Sequence, residues 1–235
     1  MFGFREQVLV LLALLPFPVL ALAVAELGTG PAEPTATPAA TATAPAVAEP
    51  VLRQEFLDAY EESRRATWLI TYDFTRRLLN GSNLDLDVTE LNRPPDHLIA
   101  GLGGLQGRIG GREVTCEVVE SETRCGPEGP AVSFETVLAD QLSELADVLQ
   151  PPAKWYAVEA GGDRDVAGEA ARCFTLRRVA AVFSPPYGER AEFCFAASDG
   201  APLLNRIERR EGTDQRQAIE VSRQVSDADL AALLG

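Results

Sequence analysis

The hydrophobic and polar residues of this chain follow two different periodicities in succession. From residue 51 to residue 66, apolar side chains recur every four positions, as one face of a helix requires, at Leu52, Phe56 and Tyr60. Residues 67–75 then switch to a period of two, with Leu69 as the one apolar residue on the otherwise polar face, which is typical of a half-buried strand. The apolar face of this strand carries four large side chains: Trp68, Ile70, Tyr72 and Phe74. The pattern therefore predicts a helix that runs directly into a strand.

A second alternating stretch follows at residues 84–91, after an Asn-Gly turn signal at residues 80–81. Its apolar side chains are Leu84, Leu86 and Val88. Asp85 and Asp87 share the other face, where solvated carboxylates are a far more common outcome than a catalytic pair. The segments "DHLIAGL", "REVTCEVV" and "SETRC" predict further strands, the last two as the arms of a hairpin.

The clearest helix is predicted over residues 131–150, with Ser133 as its N-cap and Pro151-Pro152 as its end. Its apolar face includes Phe134, Leu138, Leu142 and Leu145. Alternating stretches resume after it, and the segment "DADLAALL" predicts a short terminal helix. The order is helix, about four strands, helix, about five strands and helix, without the regular alternation of a parallel sheet. The predicted fold is α+β, with a mostly antiparallel sheet.

Residues 101–111, "GLGGLQGRIGG", contain six glycines and raise the question of a phosphate-binding loop. A dinucleotide-binding loop needs the spacing G-x-G-x-x-G between a strand and a helix, and a P-loop needs G-K-[ST]. This stretch has neither spacing, and the segment that follows it reads as a strand. We therefore expect a flexible connection between strands, with little side-chain packing.

The first fifty residues do not resemble a domain. Residues 1–25 hold an apolar run that ends in an Ala-Val-Ala sequence, which fits either a cleaved signal peptide or an N-terminal membrane anchor. Residues 26–50 are rich in Pro, Ala and Thr, which predicts a disordered spacer. Both interpretations of the N-terminus place a single domain, residues 51–235, outside the cytoplasm, with membrane association if the segment stays uncleaved.

Four cysteines fit that location: Cys116, Cys125, Cys173 and Cys194. An even number in an exported chain predicts two disulfides, and three pairings are formally possible. Proximity in sequence favours Cys116 with Cys125 and Cys173 with Cys194. A zinc site would normally show C-x-x-C spacing or histidines, and the chain has one histidine, His97. No metal and no cofactor are expected.

The net charge of −14 argues against a nucleic-acid partner, because neutralising phosphates requires clustered Lys and Arg. A serine hydrolase would have to use His97, and no G-x-S-x-G motif accompanies it. His97 follows a double proline, so we expect it at the surface, at the start of a strand. These observations leave no catalytic group of residues, and no enzyme activity is expected.

The arrangement resembles the LolA-like superfamily of exported proteins, which includes lipoprotein carriers, lipid-binding lipoproteins and sensing domains of sigma-factor regulators. The matching features are the leading helix before "TWLITYDF", the helix at 131–150, and the late strands "VAGEAARCFTL", "AEFCFAASDGAPLLNRIER" and "IEVSRQV". The resemblance covers roughly residues 51–230. It implies a curved half-barrel with helices on its concave face. The chain differs in having no cysteine after the apolar run for lipid attachment.

Two functions follow from these features. The first is a non-enzymatic binding domain of the cell envelope that holds a lipid or other apolar ligand between the sheet and the helices. Its predicted lining is the apolar face of the two alternating strands and of the middle helix: Trp68, Ile70, Tyr72, Phe74, Leu84, Leu86, Val88, Phe134, Leu138, Leu142 and Leu145. The second is a membrane-tethered domain that senses or binds a protein partner and takes no small ligand.

Overall fold

The strands pair antiparallel in one open, curved sheet. The computed structural model describes residues 48–101, 104–119 and 122–234, and within them it has eleven strands and three helices. The helices are α1 (Glu49–Arg65), α2 (Phe134–Leu149) and α3 (Asp227–Leu234). The strands before α2 are β1 (Trp68–Leu78), β2 (Asn83–Arg93), β3 (Asp96–Gly101), β4 (Gly104–Ile109), β5 (Arg112–Val119) and β6 (Glu122–Glu128). The strands after α2 are β7 (Tyr156–Val166), β8 (Glu169–Arg178), β9 (Arg190–Ala196), β10 (Pro202–Glu208) and β11 (Gly212–Ser222).

The first and last strands of the sequence meet in the middle of the sheet. Its order is β6-β5-β4-β3-β2-β1-β11-β10-β9-β8-β7, so β1 pairs with β2 on one side and with β11 on the other. All other neighbours are also neighbours in sequence, which means that two meanders are joined by the β1–β11 pairing. The predicted α+β class with an antiparallel, half-barrel sheet is confirmed.

Helix α1 has the ends and the face that its sequence predicts. Pro50 occupies its first turn, where a missing backbone N–H costs nothing, and Arg64 and Arg65 lie in its last turn, where cations complement the helix dipole. The apolar stripe is buried at Leu52 and Phe56. The helix begins at Glu49, so the last residues of the predicted spacer are helical. The rest of the spacer and the predicted signal or anchor lie outside the described residues.

Helix α2 begins with the predicted cap. The Ser133 hydroxyl accepts a hydrogen bond from the backbone N–H of Thr136 at 3.1 Å. The helix ends at Leu149, just before Pro151-Pro152. Leu138, Leu145 and Leu149 are its buried side chains. Among the described residues no helix is both long and apolar enough to cross a membrane.

The helices cover both faces of the sheet. Helices α1 and α2 lie on the concave face, which we call the inner face, in a cluster with Tyr156, Phe174 and Phe193. Helix α3 packs on the opposite, outer face over Leu91, Leu98, Leu105 and Cys116. Leu69 belongs to this outer cluster while Trp68 and Ile70 do not, as alternation along β1 requires.

The glycine-rich stretch is not the predicted flexible connection over residues 104–109, while residues 110–111 do form a turn. Residues 104–109 form β4, which is paired along its length with β3 and with β5. Gly107 shows why a glycine is needed within this strand. Its φ is +154°, and a Cβ atom there would lie 2.0 Å from the carbonyl oxygen of His97. A side chain has no room where β3 and β4 approach so closely, so glycine is what permits this strand.

Both disulfides form between neighbours in sequence. Cys116 bonds to Cys125 across β5 and β6, and Cys173 bonds to Cys194 across β8 and β9. Each pair occupies directly opposite positions of an antiparallel pair of strands. Cys173 and Cys194 are both buried, whereas Cys125 is exposed. The pairing favoured by the sequence is confirmed.

We expect Gly107→Ala to lower the free energy of unfolding by about 3 kcal/mol, because it combines an unfavourable φ with a backbone clash. Gly110→Ala is the matched control. Gly110 also has a positive φ, of +56°, but its Cβ position is open, so the expected cost is about 1 kcal/mol. Denaturant unfolding of both variants measures the difference. Equal losses would contradict the close approach of β3 and β4.

We expect replacement of Cys173 and Cys194 by alanine to destabilise the domain by about 3 kcal/mol, from the loop-closure entropy of the denatured chain together with lost burial. The matched variant lacks Cys116 and Cys125, which close a shorter loop with one exposed end, and we expect a smaller loss. Denaturant unfolding without reductant compares the two. A larger loss for the Cys116–Cys125 variant would contradict this ranking.

Candidate functional site

A cavity lies between the two inner helices and the inner face of the sheet. Its volume is about 230 Å³. Residues from α1, α2, five strands and the loop before β9 surround it, so the whole inner layer contributes. The lining residues are Phe56, Tyr60, Ser63, Arg64, Trp68, Tyr72, Glu90, Leu145, Tyr187, Phe193, Phe195, Pro202, Leu204, Asn205 and Arg216.

Seven of the fifteen lining residues are aromatic. Phe56 on α1 lies 5.4 Å from Phe193 and 6.2 Å from Phe195, measured between ring centroids. Tyr187 meets Phe193 edge to face at 5.6 Å. Rings tilted against each other in this way pack favourably. The wall is therefore apolar and held firmly in shape.

The opposite part of the lining is charged. The carboxylate of Glu90 on β2 lies 2.7 Å from Nε2 of His97 on β3 and 3.3 Å from a guanidinium nitrogen of Arg216 on β11. Glu90 is buried, with 8% of its surface exposed. His97 packs edge to face on Trp68. The expectation of a surface histidine is wrong, although His97 does lie at the start of its strand as predicted.

Charge governs the protonation of Glu90. Burial by itself would raise the pKa of this carboxyl group, because it penalises the charged form. The hydrogen bond from His97 and the positive charges of Arg216 and Arg64 outweigh burial and hold the pKa below its usual value. Glu90 is therefore a carboxylate at neutral pH, buried and hydrogen-bonded.

Arg64 completes the charged group from the last turn of α1. Its Nη1 lies 3.1 Å from the same His97 Nε2 that contacts Glu90. A guanidinium can only donate and a carboxylate can only accept, so one protonation state of Nε2 cannot serve both. The shorter contact to Glu90 indicates that Nε2 donates to the carboxylate. Arg64 forms no salt bridge with any carboxylate in the described part of the chain.

Two polar atoms of this lining have no partner. Arg64 Nε and Asn205 Oδ1 are buried and make no hydrogen bond among the described residues. Such atoms are costly in a folded protein and usually indicate a site that is completed by something else. Both belong to residues of the cavity.

The tyrosines of the cavity stay neutral. Burial raises the pKa of Tyr72 well above its usual value, and the Tyr72 hydroxyl donates to the carbonyl oxygen of Pro202 at 2.7 Å. Burial raises the pKa of Tyr60 and of Tyr187 in the same way. The described residues include no cluster of three or more His, Cys, Asp or Glu that could hold a metal ion. His97 is hydrogen-bonded to the carboxylate of Glu90.

The residues predicted as ligand contacts are distributed over the inner face and around the helices. Three of them line the cavity: Trp68, Tyr72 and Leu145. Others are buried elsewhere: Ile70, Val88 and Leu138. The remaining five predicted contacts do not line the cavity. Leu84 is exposed and the others are partly buried: Phe74, Leu84, Leu86, Phe134 and Leu142. Their role in binding a ligand stays a prediction.

Sequence reasoning missed most of the lining. The stripe on α1 indicated Phe56 and Tyr60, and extending it by one more turn would have reached Arg64. Alternation around Cys194 would have placed Phe193 and Phe195 on one face of β9. Glu90, Asn205 and Arg216 read as ordinary polar strand residues, and nothing local distinguishes them.

No protein-family model and no curated protein matches this chain. Among solved structures, MucB is similar with a TM-score of 0.41 and 19% identity, over 74% of this chain. The match covers 59% of the length of MucB. The lipoprotein LppX of Mycobacterium tuberculosis is similar with a TM-score of 0.43 and 13% identity, over 76% of this chain and 99% of its own.

A LolA superfamily protein of Nitrosomonas europaea is also similar, with a TM-score of 0.31 and 8% identity, over 75% of this chain and 96% of its own. These solved structures include a LolA superfamily protein, and the sequence resembles that superfamily. The similarity is one of fold.

We expect Glu90→Gln to lower the free energy of unfolding at neutral pH by about 3 kcal/mol, because it leaves His97 and Arg216 without their buried counter-charge. The stabilisation by Glu90 is present above its usual pKa, 4.5, and is lost as the pH falls through the lowered value in the folded state. The difference in the free energy of unfolding between the wild type and Glu90→Gln should therefore become smaller as the pH is lowered. Urea unfolding over a pH series measures it.

The control for this experiment is Glu220→Gln, at an exposed position of β11. We expect it to change stability by less than about 0.5 kcal/mol. A gap between wild type and Glu90→Gln that does not depend on pH would contradict the lowered pKa.

Proposed function

We propose that this domain is a non-enzymatic binding domain, located outside the cytoplasm, that holds a lipid or other apolar ligand between its sheet and its helices. The observation that carries the proposal is the cavity of about 230 Å³, which the aromatic side chains surround but do not fill. A core that existed for stability alone would be packed to full density, since unfilled apolar space costs free energy.

The size of the cavity favours a slender ligand. Typical small-molecule sites have volumes of roughly 300 to 1,000 Å³. This cavity falls just below that range, so one acyl chain fits its dimensions better than a lipid with several chains. The wall of Phe56, Phe193 and Phe195 offers such a chain an apolar surface.

Two disulfides support a location outside the cytoplasm, because bonds of this kind persist in oxidising compartments. The apolar run in residues 1–25 supports the same location, either as a signal or as an anchor.

A role in binding a protein partner at the membrane is the second candidate, and one observation favours it. The loop between β8 and β9 presents Phe183 with its side chain fully exposed, and Val179 nearby is 48% exposed. Aromatic residues are enriched at protein–protein interfaces, so Phe183 together with Val179 would suit a protein partner. A photo-crosslinker at position 183 that captured one defined membrane protein in the native envelope would support this role.

The proposed ligand can be sought directly. The protein is expressed from its full sequence, purified from the native compartment, extracted with organic solvent and examined by mass spectrometry for acyl compounds. Uptake of a dansyl-labelled fatty acid by delipidated protein gives an independent measurement. Finding neither a co-purified apolar compound nor uptake of the probe would refute the proposal.

We expect Leu145→Trp to weaken binding of the labelled fatty acid by about tenfold or more, because the larger side chain occupies the cavity. Leu142→Trp is the matched control on the same helix, at a partly buried position that does not line the cavity. It should bind the probe as the wild type does. Equal loss in both variants, with both folded by circular dichroism, would indicate a general disturbance of α2 instead.

A further inference from the structure

We infer that the charged end of the cavity selects a ligand with an anionic oxygen headgroup, such as the carboxylate of a fatty acid, and that Arg64 is the residue that binds it. This inference rests on the proposed function and makes it more specific. Two guanidinium groups, Arg64 and Arg216, line the cavity against one carboxylate, Glu90. The charge of the lining is therefore positive even when His97 is neutral.

Arg216 and Arg64 differ in how their charges are compensated. Arg216 lies 3.3 Å from Glu90, and His97 occupies the other oxygen of that carboxylate. The closest polar contact of Arg64 is to the histidine nitrogen, which is already engaged by Glu90, and Arg64 makes no direct contact with that carboxylate. Its Nε is buried without a partner. Of the two arginines in the lining, Arg64 therefore carries the charge that is less compensated.

The backbone around Arg64 is fixed firmly enough to present this charge. The buried Asn92 donates from Nδ2 to the carbonyl oxygens of Arg64 and Ala66, at 3.0 and 2.6 Å. The Trp68 ring donates from Nε1 to the carbonyl oxygen of Ser63 at 3.0 Å. These bonds satisfy the free carbonyl groups at the end of α1 and hold the last turn against the sheet.

The neighbouring Arg65 shows that this arrangement is specific to one arginine. Arg65 points outward, where its guanidinium contacts Glu61 at 2.9 Å and Glu135 at 2.8 Å. The sequence thus places two arginines side by side, one compensated at the surface and one uncompensated at the cavity.

An anionic headgroup is what such a site recognises best. Arg64 is partly buried, and a guanidinium in such a position attracts an anion more strongly than it would in bulk water, because the effective dielectric constant is lower. Its planar donors also match the two oxygens of a carboxylate. An uncharged headgroup such as an alcohol would leave the charge of Arg64 uncompensated, so chain length alone would decide its affinity.

The test compares two ligands with the same chain. Delipidated protein is loaded with the dansyl-labelled fatty acid, which is then displaced by palmitic acid or by palmityl alcohol, at a pH where the carboxyl group is ionised. We expect the wild type to bind the acid about tenfold more tightly than the alcohol, as a charge-assisted hydrogen bond provides. In Arg64→Gln the preference should disappear, with the affinity for the alcohol unchanged. Arg65→Gln should keep the full preference.

The possible outcomes separate the two proposals. Equal affinity for acid and alcohol in the wild type would overturn the headgroup inference and leave the binding of an apolar chain intact. Displacement by neither compound, together with no uptake of the probe, would refute the proposed function and the inference with it. If Arg64→Gln fails to fold, the acid-to-alcohol ratio of the wild type still decides, and a ratio that falls with added salt supports the inference.

Discussion

The docking of α1 on the inner face of the sheet is the contact on which the other features depend. Phe56 is 1% exposed and lies at the centre of this contact, between rings contributed by β8 and β9. Burying a phenylalanine stabilises a fold by about 1.5–3 kcal/mol, and tilted aromatic pairs add to this. Because the helix is held there, one side of the cavity is closed and Arg64 lies at its charged end. Without α1, the aromatic residues of β9 would form an exposed patch.

The topology explains why the charged group could not be recognised in the sequence. Arg64, Glu90, His97 and Arg216 come from α1, β2, β3 and β11, and the last of these meets the others only because β11 pairs with β1. Each residue alone reads as a polar position of a helix or strand. Long-range pairing of this kind leaves no local signal, since the period of a strand reports which side of the sheet a residue occupies and not which strand lies beside it.

Features that depend only on residues close together in the sequence could be predicted. Alternation in residues 67–75 gave β1 and its buried face, and Ser133 gave the start of α2, because each pattern is produced by contacts within a few residues. The glycine-rich stretch shows the limit of this reasoning. Glycine is disfavoured in strands on average, yet close approach to β3 makes it necessary at Gly107, so tertiary packing overrides the local preference.

The buried charges raise a question of energetics that stability alone does not answer. Moving ions out of water costs several kcal/mol each, and replacing such a group by apolar residues is often neutral or stabilising. Glu90 recovers part of this cost through His97 and Arg216, whereas the partly buried Arg64 makes no salt bridge among the described residues and its Nε stays unpaired. A fold that needed only a stable core would do better with a leucine at position 64. The charge of Arg64 is understandable if a ligand supplies the missing anion. The cost of partly burying Arg64 is then offset in the complex, and the same interaction gives the domain its specificity for the ligand.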